Sequence, residues 1–365
     1  MDTERFTMGD YIDASIELAY NNLHRMPELL EPLLACCTKQ LRRICIVASG
    51  SSYNAAQIAL PFMQACLPNY ELRVIPPFSF VHYELSWRNT ARDDELILVL
   101  SQSGLSTNAL EALDALAQAG LPTLCITANP QADVMRHAKT VIDYGAGEEL
   151  VGYVTKGVCL LSVYLMSFAA VLAHQDERLA DIYQALEVAD VLRLSSYDFV
   201  DAHLLELTNM QVAYVMGAGP TWGVALEGAL KIGETVHVPS PSFELEEFIH
   251  GPNLQLIPSY HCLFFDPGDT SSKRVTQIWQ ASSEVTKYAY LLTPHRELAG
   301  HTQVLVAPLS FDARCASLVY LPFVQVLSYR VSEARGGTLQ HPLLRKFKKV
   351  AAAKTEHFIN FDMDD

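Results

Sequence analysis

Three charged residues, Glu227, Lys231 and Glu234, fall within two helical turns of the segment 225–252, ALEGALKIGETVHVPSPSFELEEFIHGP. Glu227 and Lys231 stand i,i+4 and Lys231 and Glu234 i,i+3, so a helix brings all three near one face. Their neighbours Ala225, Leu226, Gly228, Ala229, Leu230 and Ile232 are small or apolar. A carboxylate beside a lysine in such surroundings suits general-base work, because burial and a nearby cation pull its pKa in opposite directions. The plainer reading is a solvated helix salt bridge, with Glu ahead of Lys in the favoured order. An acidic run, Glu244, Glu246 and Glu247, then leads into His250 and a His-Gly-Pro turn. That run reads as a solvated acidic helix start more readily than as a contact for a cationic amine.

A second group of side chains suits an anion. Residues 95–100, ELILVL, read as a buried strand, 101–106, SQSGLS, as a loop, and 107–119 as a helix. In an open α/β sheet such a loop lies at the carboxyl edge of the strand, where ligands bind. The hydroxyls of Ser101, Ser103 and Ser106, with Gln102 and the helix-start amides, can cradle a phosphate without a net charge. Ser49, Ser51 and Ser52 occupy the same place after the strand 43–48, RICIVA. A single serine there usually only caps its helix; two such loops favour the phosphate reading. Neither GxGxxG nor GxxxxGK[ST] occurs, which points away from dinucleotides and nucleoside triphosphates.

The elements that must position these groups alternate. Residues 9–38 have helical apolar spacing broken by Pro27 and Pro32. Strands follow at 43–48, 73–75, 95–100, 122–127 and 141–143, with helical patterns between them. That alternation predicts a parallel sheet wound with helices. The pattern then restarts at 211–216, QVAYVM, a GAGP loop and a helix over 221–235, with VHVP read as a strand holding a packed or edge His237. Aligning Gly50 with Gly219 superposes IVASGSSYNAA on VMGAGPTWGVA at an offset of 169 residues, the mark of a duplication. Strands at 261–266 and 303–308 are matched to 95–100 and 122–127, and the domain boundary is placed at 192/193, giving 1–192 and 193–365. In the second copy 266–272, DPGDTSS, replaces the serine loop, and its leading acid would repel a phosphate.

With 365 residues and 50% hydrophobic content the chain has material for two cored domains. A net charge of −15 argues against nucleic acid as a partner. The 8 cysteines show no CxxC spacing and read as reduced, buried thiols of a cytoplasmic protein. The start MDTERFTMGDYIDASIELAY has no apolar signal core. The apolar run 158–173 contains Ser162, Tyr164 and Ser167 and reads as a buried helix rather than a membrane span. No histidine stands at metal-ligand spacing, and proton transfer by a carboxylate needs neither metal nor cofactor.

The serine loop SQSG, the upstream Gly-Ser-Ser, Glu149 with Thr-Lys-Gly at 155–157, and ALEGALK…E…HGP together resemble the sugar isomerase (SIS) family, in the double-SIS arrangement of the isomerase half of glucosamine-6-phosphate synthase. The resemblance implies two tandem SIS domains, each a flavodoxin- or Rossmann-like three-layer α/β sandwich. It implies Glu234 as the base moving a proton between sugar carbons, with Glu227 and Lys231 as catalytic neighbours. It assigns His250 to ring opening, across a homodimer with shared active sites, and Glu149 and Lys156 to substrate binding. A tail resembling Pro-Arg-Asn-Leu-Ala-Lys matches Arg345 and Lys349 in 341–349, HPLLRKFKK, with Lys346 and Lys348 as competitors. The sequence opens directly on the sugar-binding half, with no amide-hydrolysing segment, which points away from net synthesis from glutamine. The acid-rich lead into His250 is similar to the deglycase branch, whose members act on fructoselysine or glucoselysine 6-phosphate. The expectation is a soluble deglycase splitting a 6-phosphorylated sugar–amine conjugate into hexose 6-phosphate and amine. The alternatives are an aldose–ketose or amino-sugar phosphate isomerase or deaminase, and a non-catalytic phosphosugar-binding regulator.

Overall fold

The computed structural model describes residues 6–87, 92–337, 341 and 343–358. The chain forms two compact units. Met1–Thr7, Glu17–Asp176 and Gln340–Asp365 make the first, and Met8–Ile16 with Glu177–Leu339 the second.

The first unit holds β1 (Arg43–Val47), β2 (Glu71–Ile75), β3 (Glu95–Leu100), β4 (Leu124–Thr127) and β5 (Thr140–Asp143). They form one parallel sheet in the order β2-β1-β3-β4-β5. The second holds β6 (Ala213–Gly217), β7 (Ser242–Glu244), β8 (His261–Phe265), β9 (Ala289–Thr293) and β10 (Val304–Val306), ordered β10-β9-β8-β6-β7 and again parallel. Read from β7, the two topologies are identical. In each, the order reverses beside the first strand, between β1 and β3 and between β6 and β8, and loops at such a point are where ligands bind.

Parallel strands are covered on both faces, so their sequences run apolar without alternation. In β3, Leu96 to Leu100 are all buried. On one face of the first sheet Val47, Val99 and Cys125 pack with Ala109, Leu113 and Leu116 of the helix Thr107–Gln118. Met216, Phe264 and Leu291 do the same in the second with Val275, Ile278 and Trp279 of Ser272–Ser283. The expected buried helix is Lys156–Leu172, buried at nearly every position and packed on Gly50–Cys66. No helix among the described residues is long and apolar enough to cross a membrane. All 8 cysteines are free, six of them buried.

The duplication is written into the backbone. Gly50 and Gly219 follow β1 and β6 with φ of +56° and +50°, and neither position would crowd an added Cβ. The left-handed turn itself, rather than lack of space, calls for glycine there.

Two readings of the sequence are corrected. The chain passes from the first unit to the second at Asp176/Glu177, not 192/193. Leu192 and Ser196 are buried inside an unbroken helix, Leu179–Ala202, which packs on Ala316–Ala334 and belongs wholly to the second unit. The strand at 303–308 takes the place of β5, not of 122–127, because β9, AYLLT, stands where β4 does. Short apolar runs such as AYLLT carry no periodicity that separates strand from helix.

Gly217 ends β6 where the next turn folds tightly back. A Cβ there would lie 2.4 Å from Thr221 O and 2.8 Å from Ala225 Cβ. Gly217→Ala is expected to destabilise the second unit by about 1–3 kcal/mol through overpacking against backbone. Urea unfolding reads this directly, and an unchanged midpoint would refute the close approach.

Candidate active site

In the first unit the loops after β1 and β3 carry the serines. Ser49 and Ser106 are the N-cap residues of Gly50–Cys66 and Thr107–Gln118, yet neither hydroxyl caps its helix. Ser49 Oγ donates instead to Asn108 Oδ1 at 3.4 Å. Ser51 and Ser52 are buried in the first turn of their helix. Ser101, at the end of β3, is 2% exposed, and its Oγ has no hydrogen-bond partner among the described residues. A buried hydroxyl left unpaired costs free energy, so it marks a place where a ligand atom or water completes the structure.

Glu149 is spent on organising this loop. Its Oε1 accepts from the backbone N–H of Thr155 (2.9 Å) and Lys156 (2.7 Å), and its Oε2 from Gly157 N (3.3 Å) and Gln102 Nε2 (3.1 Å). It therefore caps Lys156–Leu172 and fixes the Gln102 side chain. Burial pushes its carboxyl above the usual range while the backbone donors and Lys156 pull the other way. Burial also lowers the pKa of Lys156, against the opposing pull of Glu149 and Glu148.

The C-terminal tail returns to this loop. Leu105 O accepts from Thr355 N (2.9 Å), and Ala353 O accepts from Thr107 N (3.1 Å), the first amide of its helix. Lys354, held between these contacts, donates to Ser103 Oγ at 2.8 Å and Ser106 Oγ at 2.9 Å. His357 Nδ1 lies 2.9 Å from both carboxylate oxygens of Asp133. A cleft of about 170 Å³ opens here, lined by Gln102, Ser103, Asn129, Glu149, Lys354 and His357 among others. Lys349 and Arg345, matched from the sequence, stand exposed on the short helix Leu344–Val350. The lysine at the serine loop is Lys354. The run RKFKK draws attention by charge but makes a solvated helix; the signal for Lys354 is AAAKT, whose small residues let an extended tail lie flat against a loop.

In the second unit Glu227, Lys231 and Glu234 form one cluster. The helix Trp222–Lys231 widens into a π-helical turn over Ile232–Val236, which carries Glu234. Such turns are rare and concentrate at functional sites. His237 closes the turn at φ +59°, so VHVP is a left-handed helix end and not a strand. Lys231 Nζ lies 2.9 Å from Glu227 Oε1 and 2.5 Å from Glu234 Oε1. The Lys231 and Glu227 side chains are 0% exposed and Glu234 31%. The solvated-bridge reading thus fails for the first pair. Burial works against the Lys231 charge, but Glu227 and Glu234 outweigh it and hold the ammonium above the usual lysine range.

His250 is exposed at the end of Leu245–Ile249. The acids before it serve local structure. Glu244 Oε2 caps that helix through Glu246 N and Glu247 N, and Glu246 pairs with Arg274. Asp266, fully buried in the second copy's loop, accepts from Gly268 N (2.9 Å), Ser272 Oγ (2.6 Å) and Thr293 Oγ1 (2.7 Å).

Two doubly wound units, one with a hydroxyl-lined loop at its switch point, define a two-unit α/β protein. Residues 39–173 match the model of the SIS domain family, so the first unit carries a SIS domain, and the second repeats its topology. Over 315 residues the chain is 26% identical to the glutamine–fructose-6-phosphate aminotransferase (isomerizing) of Bradyrhizobium diazoefficiens, covering 83% of this chain and 51% of that protein. The chain thus spans about half the length of the curated relatives it matches. A candidate phosphosugar isomerase from Clostridium difficile 630 has the same fold, with TM-score 0.85 at 20% identity over 96% of this chain and 99% of that one. So does a glucosamine-6-phosphate deaminase from Thermotoga maritima, with TM-score 0.70 at 20% identity over 89% and 95%.

Lys231→Met removes the cation and leaves Glu227 buried without its partner. A loss of about 3–5 kcal/mol in the stability of the second unit is expected, most of it recovered when Glu227→Leu is added. Denaturant titration of the single and double variants decides this, and a single variant as stable as the parent would show the pair to be solvated.

Proposed function

We propose that the chain is an enzyme that cleaves a 6-phosphorylated sugar–amine conjugate to hexose 6-phosphate and a free amine. The observation that carries this reading is the serine loop, whose hydroxyls are not used to cap their helices and whose Ser101 Oγ lacks a partner among the described residues. Hydroxyls offered at a sheet switch point suit a phosphate monoester. The partly exposed Glu234, on a π turn beside Lys231, supports proton transfer by carboxylate. The resemblance to an aminotransferase of fructose 6-phosphate supports the substrate class.

The chemistry is an enolisation followed by hydrolysis. The sugar ring opens with help from His250, which the resemblance assigns to a neighbouring copy in a homodimer. Glu234 takes the proton from the nitrogen-bearing carbon next to the ketone, and the electron pair moves into a carbon–carbon double bond. The carbonyl oxygen takes up a proton as the enol forms, the proton on Glu234 returns to the former carbonyl carbon, and the nitrogen gives up its own proton, leaving an imine beside a hydroxyl. Water adds to the imine carbon and the carbon–nitrogen bond breaks, giving aldehyde and amine. Glu227 and Lys231 hold Glu234 in place, and the serine loop with Gln102 holds the phosphate.

Glu234→Gln is expected to lower turnover by about 10²–10⁴-fold while phosphate-ester binding persists. Turnover should be measured on fructoselysine 6-phosphate, glucoselysine 6-phosphate, fructose–asparagine 6-phosphate and glucosamine 6-phosphate, following hexose 6-phosphate and amine separately. Equal release of both from a conjugate is the expected result. Activity on glucosamine 6-phosphate alone would make the chain a deaminase or isomerase, and tight binding without turnover a regulator.

Ser101→Ala tests the loop from another side. Because the Ser101 hydroxyl is buried without a protein partner, removing it should leave stability unchanged or slightly raised, yet raise KM with kcat nearly constant. An unchanged KM would remove Ser101 from the phosphate site.

A further inference from the structure

We infer that Lys354 supplies the positive charge of the phosphate subsite, acting through Ser103 and Ser106; this rests on the phosphate reading of the serine loop proposed above. The loop 101–106 contains no basic residue, and the chain carries a net charge of −15. A phosphate monoester dianion held by hydroxyls alone would sit in an unfavourable overall field, so it needs a local cation.

The tail brings one. Thr355 N to Leu105 O and Thr107 N to Ala353 O fix the backbone on both sides of Lys354, which pairs antiparallel with Ser106. Its ammonium reaches Ser103 Oγ and Ser106 Oγ and lies 5.6 Å from the centre of the Phe358 ring. No carboxylate forms an ion pair with it among the described residues. The charged groups around the cleft are otherwise committed: Glu149 to three backbone amides and Gln102, and Asp133 to His357. Glu148 lines the cleft without bonding Lys354. Burial accordingly pushes the Lys354 pKa down to about 8, with no charge among the described residues restoring it. An uncompensated, half-buried ammonium facing a cleft is a group whose counter-ion arrives from outside.

The hydrogen-bond directions point the same way. A lysine ammonium only donates, so Ser103 and Ser106 must accept from it and turn their own protons elsewhere. Those protons, and the third N–H of Lys354, remain for the oxygens of an anion. The ammonium thereby orients the hydroxyls as well as supplying charge. Lys354 is thus a substrate-binding residue for a phosphate monoester, a role independent of any chemistry at the sugar carbons.

The test is calorimetric titration of the full chain with inorganic phosphate, which has no carbonyl and so reports charge and hydrogen bonding alone. Glucose 6-phosphate and glucose are run beside it. The parent protein should bind both phosphates and not glucose. Lys354→Gln should weaken inorganic phosphate by about tenfold to a hundredfold, and Lys354→Arg should recover most of that loss. Circular dichroism of the variants guards against a folding defect. If the parent binds phosphate and Lys354→Gln binds it equally well, the inference falls and the loop reading stands. Tighter binding by Lys354→Gln would make the tail lysine a competitor of the anion, which also overturns it. If the parent binds neither phosphate, the loop reading fails and takes the inference with it.

Discussion

A parallel sheet has both faces dry, and that constraint arranges everything else in each unit. Helices cover the faces, leaving the strand edges as the places where polar side chains meet solvent. At the carboxyl edge the chain leaves each strand in a short loop, and at the switch point two such loops part in opposite directions. In the first unit Ser49 lies on the loop after β1, and Ser101, Ser103 and Ser106 on the loop after β3. Val99 and Leu100 can be wholly apolar because Ser101 begins where the sheet ends. Glu149 and Gln102 are the cost of ending a long apolar helix, Lys156–Leu172, beside that loop: its first amides need an acceptor, and a buried carboxylate provides one.

Two lysines show how context decides what one side chain does. Lys231 is enclosed and meets two carboxylates, so its charge is matched within the protein and its position is fixed. Lys354 is held by backbone on either side but, among the described residues, bonds to hydroxyls and to no carboxylate. Desolvation acts on both; only the first has the opposite charge to overcome it.

The sequence carried the fold in its apolar runs. ELILVL, RICIVA and LCIT are legible because a doubly covered strand has no alternative to being apolar, and Gly50 and Gly219 are legible because a left-handed turn admits little else. Glu227, Lys231 and Glu234 were readable as neighbours from helical spacing. What spacing could not supply was their burial, since the same pattern serves a solvated bridge, nor the π turn under Glu234, which depends on how Ile232–Val236 packs. The unit boundary was misplaced because a helix such as Leu179–Ala202 begins without a linker of marked composition. Lys354 was missed for a related reason. A tail contact made through backbone bonds leaves no side-chain pattern, and the denser charge of 345–349 stood nearby.

The two copies differ at the residue that follows the third strand of each sheet. After β3 the first residue is Ser101, whose hydroxyl has no protein partner among those described; after β8 it is Asp266, whose carboxylate is met by Gly268, Ser272 and Thr293. In the second copy the donors of Gly268, Ser272 and Thr293 are turned inward by this resident acid. Asp266 thus ties its loop together through three hydrogen bonds, where Ser101 in the first copy ties nothing among the described residues through its hydroxyl. That difference of one residue type leaves a buried hydroxyl without a partner among the described residues at the edge of the first sheet and a satisfied carboxylate at the edge of the second, whose unit also carries the buried lysine and its two carboxylates.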